Sequence, residues 1–230
     1  MKSRSLLVAA VLACLPAASI AAPTAPIDPP AAAAPEKTAP AKAEAKPTAP
    51  SLVGKAAPEF TLKDLDGKDV KLSSFKGKVV VLEWFNPGCP YVKKSHTVGS
   101  LIDTAKKHTA KGVVWLAINS GAAGKQGHEP AMNAQSAKTW AMTHPILRDI
   151  DGTVGKAYGA TNTPHMFVID KKGVVAYAGA IDNSPDAEKL SATGGTLINY
   201  VDVAVEAVSA GKAVKTAQTK AYGCGVKYGS

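Results

Sequence analysis

The segment from Val79 to Phe85 limits the fold of this chain most strongly, because it is almost continuously apolar. A strand without polar alternation is typical of the centre of a sheet that is covered on both faces. The segment is followed by the turn Asn86-Pro87-Gly88 and then by Cys89 and Pro90. A buried strand that leads through a tight turn into a helix predicts an α/β domain.

The rest of the chain after residue 50 alternates between strand and helix patterns. The predicted elements are an N-terminal hairpin at 60–72, strands at 79–85, 113–118 and 146–147, a hairpin at 166–177, and helices at 90–111, 133–142, 155–158 and 196–210. In the helix predicted at 90–111, Val98 and Ile102 fall on the apolar face. We expect one domain over residues 51–211, with a mixed central sheet flanked by helices, and a C-terminal tail over residues 212–230.

The first 21 residues have the order of a secretory signal peptide, with Lys2 and Arg4, then an apolar run, then small residues before a cut after Ala21. The apolar run is too short to span a bilayer as a helix. Residues 22–50 are rich in Ala, Pro and Lys and predict a disordered linker. We therefore expect an exported, periplasmic or otherwise extracytoplasmic protein. Lipidation at Cys14, which would add a membrane anchor, is the alternative.

The basic residues of the chain are scattered and consist mostly of lysine, although the net charge is +9. They form no dense basic run and are little interleaved with aromatic residues. This distribution is typical of a solvated basic surface and argues against a nucleic-acid partner.

Cys89 is a candidate reactive thiol because it would stand at the start of a helix. Pro90 suits the first helical position, where its missing N–H is not needed, and Lys93 follows one turn later. Free N–H groups and the helix dipole stabilise a thiolate, which is the form that attacks disulfides and peroxides. The alternative is an inert core cysteine, since free cysteines are often buried.

Four further segments occur together in the order that one superfamily shows. They are Gly54-Lys55-Ala56-Ala57-Pro58-Glu59-Phe60, Leu72-Ser73-Ser74-Phe75-Lys76-Gly77-Lys78, Thr163-Pro164 and Phe167-Val168-Ile169-Asp170. With them the chain, over about Ser51 to Asp182, resembles the redoxin or peroxiredoxin-like branch of the thioredoxin superfamily. The resemblance implies a thioredoxin-like fold in which Thr163-Pro164 forms a cis-proline loop that faces the thiol.

Glu83 interrupts the apolar strand six residues before Cys89, where the resemblance implies a buried carboxylate. Burial would raise its pKa and suit it to proton transfer to a departing thiolate. The alternative is a strand residue that faces solvent. The catalytic candidates are Cys89, Cys224, Pro164 and Glu83, and the supporting candidates are Trp84, Pro90, Lys93 and Thr163.

Two departures from the family pattern bear on the chemistry. A thioredoxin site has a second cysteine three residues after the first, and here that position is Val92. A typical peroxiredoxin has Thr or Ser three residues before its cysteine and an Arg in a later loop, and here Asn86 and Pro164 stand there. A resolving thiol must therefore come from elsewhere, and peroxide activation by the usual groups is not expected.

Cys224 is the second cysteine that remains after signal cleavage, about 135 residues after Cys89. In an oxidising compartment such a pair is either a structural bridge or a redox couple. The glycines beside Cys224 would let the tail fold back onto the domain. Because a thiol at a helix N-terminus is a good leaving group, a bond to Cys89 would be labile. We therefore favour Cys224 as the resolving thiol.

These residues predict a thiol-disulfide oxidoreductase without a cofactor, acting on thiol or disulfide proteins with a reducing redox partner. The backbone at Thr163-Pro164 is expected to be open to an extended peptide, so that disulfide exchange outpaces peroxide reduction. The first alternative is a peroxiredoxin-like thiol peroxidase that acts on small peroxides. A lesser alternative is a structural or metal-binding module, in which His96, His165 and Cys89 converge on a metal.

Overall fold

The structure is a computed structural model that describes residues 51–187 and 191–230, all within one compact unit. Its strands are β1 (Thr61–Asp64), β2 (Asp69–Lys71), β3 (Val80–Trp84), β4 (Val114–Asn119), β5 (Ile146–Arg148), β6 (Asn162–Thr163), β7 (His165–Ile169), β8 (Val175–Gly179) and β9 (Cys224–Gly225). Its helices are α1 (Pro90–Thr97), α2 (Leu101–Thr109), α3 (Pro130–Thr139), α4 (Thr153–Tyr158) and α5 (Tyr200–Ser209). The predicted signal peptide and linker lie outside the described residues.

A seven-stranded mixed sheet has the order β2-β1-β5-β4-β3-β7-β8. β3 pairs in parallel with β4 and antiparallel with β7, so the strand that leads to Cys89 lies inside the sheet. Every residue of β3 is buried, as its apolar pattern predicts. Both predicted hairpins, β1–β2 and β7–β8, are confirmed. Within the described part of the chain, no helix is both long and apolar enough to cross a bilayer.

The two faces of β3 belong to different parts of the core. On one face the Trp84 ring lies 5.3 Å from the Tyr158 ring and 5.2 Å from the Phe167 ring. On the other face Val81 packs with residues of α2 and α5. Because side chains alternate along a strand, Glu83 shares the face of Val81.

The helix predicted at 90–111 is wrong in one respect, because the structure has two helices there, α1 and α2. Gly99 lies between them, and a Cβ at this position would approach the carbonyl oxygen of Ala187 to 2.6 Å. The break between the two helices thus leaves room for the backbone of Ala187 to lie close to the backbone of Gly99. Val98 and Ile102, which an unbroken helix would bury, are 56% and 44% exposed.

The last helix also starts later than predicted. α5 begins at Tyr200, and the side chain of Asn199 accepts a hydrogen bond from the N–H of Asp202 at 3.0 Å. An asparagine in this position satisfies one of the free N–H groups of the first turn. The cap, rather than the apolar periodicity, therefore sets the start of the helix.

Residues 212–230, the predicted tail, run back along the domain. The N–H of Thr219 donates to the carbonyl oxygen of Ala178 at 3.1 Å. Further along, β9 pairs antiparallel with β6 and sets Cys224 opposite Thr163. The tail therefore brings the second cysteine to the β6 edge, next to the start of β7.

Candidate active site

Cys89 directly precedes α1, and Asn86 holds the turn before it. The N–H of Cys89 donates to the carbonyl oxygen of Asn86 at 3.0 Å, and the N–H of Gly88 donates to Asn86 Oδ1 at 2.9 Å. Pro90 occupies the first helical position. Only 1% of the surface of Cys89 is exposed. The sulfur therefore lies at a helix N-terminus but is shielded from bulk solvent.

A loop around Gln126 is hydrogen-bonded to the same turn, and no sequence pattern predicts this contact. Gln126 Nε2 donates to the carbonyl oxygen of Gly88 at 2.9 Å, and the Gln126 carbonyl oxygen accepts from Asn86 Nδ2 at 3.2 Å. Gly127 is so close that a Cβ there would lie 2.0 Å from Asn86 Oδ1. Both ends of the Asn86 amide are therefore engaged in holding the turn.

The Thr163-Pro164 loop faces the thiol. Its peptide bond is cis, as the resemblance implied. The Cys89 thiol lies 3.1 Å from the carbonyl oxygen of Thr163 and donates to it. Phe85 and Val92 belong to the same buried cluster as Cys89. The sulfur is thus enclosed by apolar side chains, the helix end and the backbone of this loop.

Cys224 reaches the same place from the tail. It pairs with Thr163, the residue whose carbonyl oxygen accepts from the Cys89 thiol, and it packs against the apolar cluster that contains Cys89. Both cysteines are free thiols in the structure. Gly223 permits this approach, because its φ is +104° and a Cβ there would lie 2.3 Å from the Thr163 carbonyl oxygen. The structure therefore puts the two candidate cysteines in contact.

The two thiols differ in acidity. Burial raises the pKa of Cys89, but hydrogen bonds to the thiolate from Cys224, Val92 and Thr163 together outweigh burial and lower it. Burial and the neighbouring Cys89 raise the pKa of Cys224 to about 11. Lys93, expected to add positive potential, is exposed on the first turn. Cys89 is therefore suited to be the thiolate, and Cys224 to be the protonated partner.

Removing the Cys224 S–H is expected to raise the pKa of Cys89, because the thiolate loses a donor. Cys224→Ala removes the donor, whereas the matched Cys224→Ser keeps an O–H group at the same position. Titration of the thiolate ultraviolet absorbance should give a higher pKa for the Ala variant than for the Ser variant. Equal pKa values in the two variants would show that Cys224 does not stabilise the thiolate.

Glu83 is buried, with both carboxylate oxygens hydrogen-bonded. Its Oε1 lies 2.7 Å from His96 Nε2, and its Oε2 accepts from Trp115 Nε1 at 3.0 Å. Burial alone would raise its pKa, but His96, His144 and Trp115 outweigh burial and lower the pKa. The raised pKa expected from the sequence is therefore wrong, and Glu83 is a carboxylate at neutral pH.

Two histidines complete this buried group and were not predicted to belong to it. His96 lies on α1, about two turns after Cys89, and its ring stacks on Trp140 at 5.3 Å. This helical spacing from Cys89 was the available sequence signal. His144 is buried, and neither of its ring nitrogens has a hydrogen-bond partner among the described residues. Burial lowers the pKa of His144 to about 4.

Trp84 connects β3 to α4 rather than to the cysteines. Its Nε1 donates to Ser120 Oγ at 3.0 Å, and Ser120 Oγ donates to Asp149 at 2.6 Å. Asp149 also accepts from the N–H of Gly155 in α4 at 2.8 Å. Tyr228 of the tail rests on this helix, since a Cβ on Gly155 would lie 2.4 Å from its hydroxyl oxygen.

The three residues considered for a metal have other partners. His96 is bonded to Glu83, and the His165 ring stacks on Phe167 at 4.6 Å and accepts from the N–H of Thr161. Over residues 51–187 and 191–230, no group of three or more His, Cys, Asp or Glu side chains is arranged to hold a metal ion. Cys89, His96 and His165 therefore form no metal centre in this part of the chain.

Known proteins resemble this chain over most of the domain. A family model described as Redoxin matches residues 52–194. The chain is 34% identical over 125 residues to the thiol-disulfide oxidoreductase ResA of Geobacillus thermodenitrificans, covering 54% of this chain and 66% of that protein. It is 33% identical over 135 residues to a chloroplastic peroxiredoxin Q of Triticum aestivum, covering 54% and 57%. The matched region spans less than two thirds of either relative.

Two solved structures are similar over about three quarters of the chain. An uncharacterized conserved protein from Geobacillus kaustophilus superposes with a TM-score of 0.68 at 29% identity, covering 77% of this chain and 92% of that one. A hypothetical protein from Sinorhizobium meliloti gives a TM-score of 0.66 at 27% identity, covering 76% and 93%. The family match and this shared architecture agree with the mixed sheet described above. The chain belongs to the Redoxin family and has a thioredoxin-like fold.

Proposed function

We propose that the protein is an exported thiol-disulfide oxidoreductase in which Cys89 is the nucleophile and Cys224 the resolving thiol. The observation that carries this proposal is the β6–β9 pairing, which sets Cys224 opposite Thr163, the residue that accepts a hydrogen bond from the Cys89 thiol. The lowered pKa of Cys89 and the raised pKa of Cys224 agree with these two roles. Relatives named thiol-disulfide oxidoreductase support the same activity. Cys224 would supply the resolving thiol that is missing at Val92.

The reaction with a disulfide substrate has two exchange steps. The Cys89 thiolate attacks one substrate sulfur, forms a mixed disulfide and releases the first thiolate, which takes up a proton. Cys224 then attacks the Cys89 sulfur and expels the second substrate thiol, to which its own proton passes. One disulfide is reduced to two thiols, while Cys89 and Cys224 are oxidised to one disulfide. Pro164 would shape the loop against Cys89, and Glu83, being ionised, would accept protons rather than donate them.

A thiol peroxidase is the second candidate, and the paired β6 edge favours it. The backbone at Thr163, expected to be open to a peptide, is paired with the tail instead, so the expectation of an open edge is wrong. The ranking of disulfide exchange over peroxide reduction stays a prediction. In a peroxidase the Cys89 thiolate attacks a hydroperoxide oxygen, giving a sulfenic acid and an alcohol, or water from hydrogen peroxide. Cys224 then condenses with the sulfenic acid and releases water. The similarity to peroxiredoxin Q fits this alternative.

Export and partners rest on the sequence. Residues 1–21 would direct secretion and be cleaved off, and residues 22–50 would form a disordered linker before the domain. Lipidation at Cys14 remains the alternative that adds a membrane anchor. Each cycle needs a separate reducing partner that returns Cys89 and Cys224 to thiols, and no nucleic-acid partner is proposed.

Oxidation of the reduced protein by a small disulfide is expected to consume both thiols of the mature chain and to give a Cys89–Cys224 bond. Peptide mass mapping without reductant identifies that bond, and parallel rates with hydrogen peroxide rank the two candidate reactions. A Cys89→Ser control should react with neither oxidant. A wild-type protein that reacts with neither, or that forms disulfides only between chains, would contradict the proposal.

A further inference from the structure

The backbone of β6, beside Cys89, is paired with a strand of the protein's own tail in the way that it would pair with an extended peptide. β9 lies antiparallel to β6, with Cys224 opposite Thr163 and Gly225 opposite Asn162. The N–H of Val226 continues the pairing to the carbonyl oxygen of Thr161 at 3.1 Å. An extended substrate that adds a strand to an exposed edge makes hydrogen bonds of this kind. The tail therefore stands where such a peptide would lie.

Two tyrosines anchor this segment at its ends. The Tyr222 hydroxyl donates to Asp182 Oδ1 at 2.8 Å, and its ring lies 6.4 Å from that of Tyr91. The Tyr228 hydroxyl donates to the carbonyl oxygen of Ala160 at 2.8 Å. The pairing of β9 is thus supported on both sides of Cys224.

Glycines at the contact points fit this docked position. A Cβ on Gly152 would lie 2.5 Å from the Tyr228 ring, and Lys156 Nζ lies 5.7 Å from the centre of that ring. At Gly223, a Cβ would collide with the Thr163 backbone. Side chains at Gly152 and Gly223 would push the tail away from α4 and from β6, so the docked tail depends on these specific residues.

We propose that residues 222–228 act as a built-in substitute for a peptide substrate, so that the reduced protein takes small oxidants and excludes extended protein disulfides. This inference rests on the proposed function, and it narrows the substrate class to low-molecular-weight disulfides or hydroperoxides. Cys89 is almost fully buried, so every oxidant needs some local opening at Cys224. A small molecule needs only that gap, whereas a peptide must also displace the β9 pairing with Asn162 and Thr163.

The test compares two disulfides with the same leaving thiol. One is bis(2-hydroxyethyl) disulfide, and the other is an extended peptide of about ten residues whose cysteine carries 2-mercaptoethanol as a mixed disulfide. The loss of the Cys89 thiol is followed by rapid quenching, alkylation and mass spectrometry. Tyr228→Ala is the variant with a weakened anchor, and Lys215→Ala, an exposed residue of the tail, is the matched control. Hydrogen exchange at the Val226 N–H reports how firmly the tail is docked.

Wild type is expected to react faster with the small disulfide than with the peptide. Tyr228→Ala should raise the peptide rate about tenfold, because that rate follows the undocked fraction of the tail. Its rate with the small disulfide should change by less than about twofold, and Lys215→Ala should change neither rate. Gly223→Ala, which forces the tail off β6, should raise the ratio of the peptide rate to the small-disulfide rate, while the loss of the Cys224 donor slows both reactions.

Equal rates for both disulfides in wild type would overturn the inference and leave the proposed function intact. Faster hydrogen exchange at the Val226 N–H in Tyr228→Ala or Gly223→Ala, without a higher ratio of the peptide rate to the small-disulfide rate, would also overturn it. If neither disulfide oxidised Cys89 in any variant, the proposed function itself would fail. The two failures are therefore distinguishable.

Discussion

A Cys224→Ser variant is expected to lose at least about a hundredfold in turnover with a small disulfide and a dithiol reductant while keeping its fold. A thiol held in contact with Cys89 resolves the mixed disulfide far faster than a thiol supplied at millimolar concentration. The Cys89 adduct should therefore accumulate, and mass spectrometry of the quenched reaction should show substrate thiol bound to Cys89.

The reduced wild type is the matched control for stability, because it also lacks the Cys89–Cys224 bond. We expect the reduced wild type and Cys224→Ser to unfold at the same denaturant concentration. A structural bridge would instead appear in the oxidised wild type, because a bond that closes so long a loop adds roughly 5 kcal/mol to the free energy of unfolding in the entropic estimate. A variant with full turnover, together with an oxidised wild type that is far more stable than the reduced form, would establish the bridge.

Acid is expected to destabilise the protein through His144 at pH values where Glu83 is still ionised. Unfolded His144 takes up a proton near pH 6.5, whereas burial delays this in the folded state to about pH 4. Between these values the unfolded state binds the extra proton, so this contribution is complete about one pH unit above 6.5 and is lost as the pH falls. From pH 6.5 to about 5 the loss should be about 1.6 kcal/mol, because the slope is about half of 1.4 kcal/mol per pH unit at pH 6.5 and approaches that value near pH 5.

His144→Phe should remove this loss, and His144→Leu, of different shape, tests whether packing rather than protonation is responsible. Urea unfolding at several pH values, compared with wild type, isolates the contribution because all other titrating groups are shared. The measured interval, from pH 6.5 to about 5, lies above the pH range in which Glu83 takes up its proton, because the pKa of Glu83 is lowered from 4.5. Parallel pH profiles for wild type and both variants would show that His144 is not held neutral by burial.

The local part of the candidate site could be predicted from the sequence. The apolar run from Val79, the Asn-Pro-Gly turn and Pro90 dictate a strand, a turn and a helix start through backbone preferences of neighbouring residues. The position of Cys89 follows from these preferences alone. The mixed sheet likewise follows from the strand and helix patterns together with the resemblance.

Features that depend on distant residues could not be predicted. The break at Gly99 reflects the approach of Ala187, which no periodicity encodes. The lowered pKa of Glu83 depends on His96 and Trp115, which lie 13 and 32 residues away along the chain. The apolar sequence around Glu83 predicts that the carboxylate is buried, and burial alone would raise its pKa. The sequence does not show that His96 and Trp115 lie next to the carboxylate and lower its pKa instead.

The docking of Cys224 is the clearest case of this kind. Glycines beside it predicted only that the tail could bend. Its pairing with Thr163 depends on backbone hydrogen bonds and on the anchoring of Tyr222 and Tyr228. Backbone pairing between segments far apart in the chain leaves little trace in side-chain patterns.

The hydrogen bonds from Trp84 to α4 connect β3 to a second part of the candidate site, in addition to the turn that leads to Cys89. The strand leads through the turn at residues 86–88 to Cys89, and its Trp84 side chain is hydrogen-bonded through Ser120 and Asp149 to α4, the helix on which Tyr228 of the tail rests. β3 is therefore linked to the surroundings of both sulfurs, to Cys89 along the chain and to the docked tail through α4. We therefore expect a change at Trp84 to disturb the positions of both cysteines, although the Trp84 side chain is hydrogen-bonded to Ser120 and to neither of them.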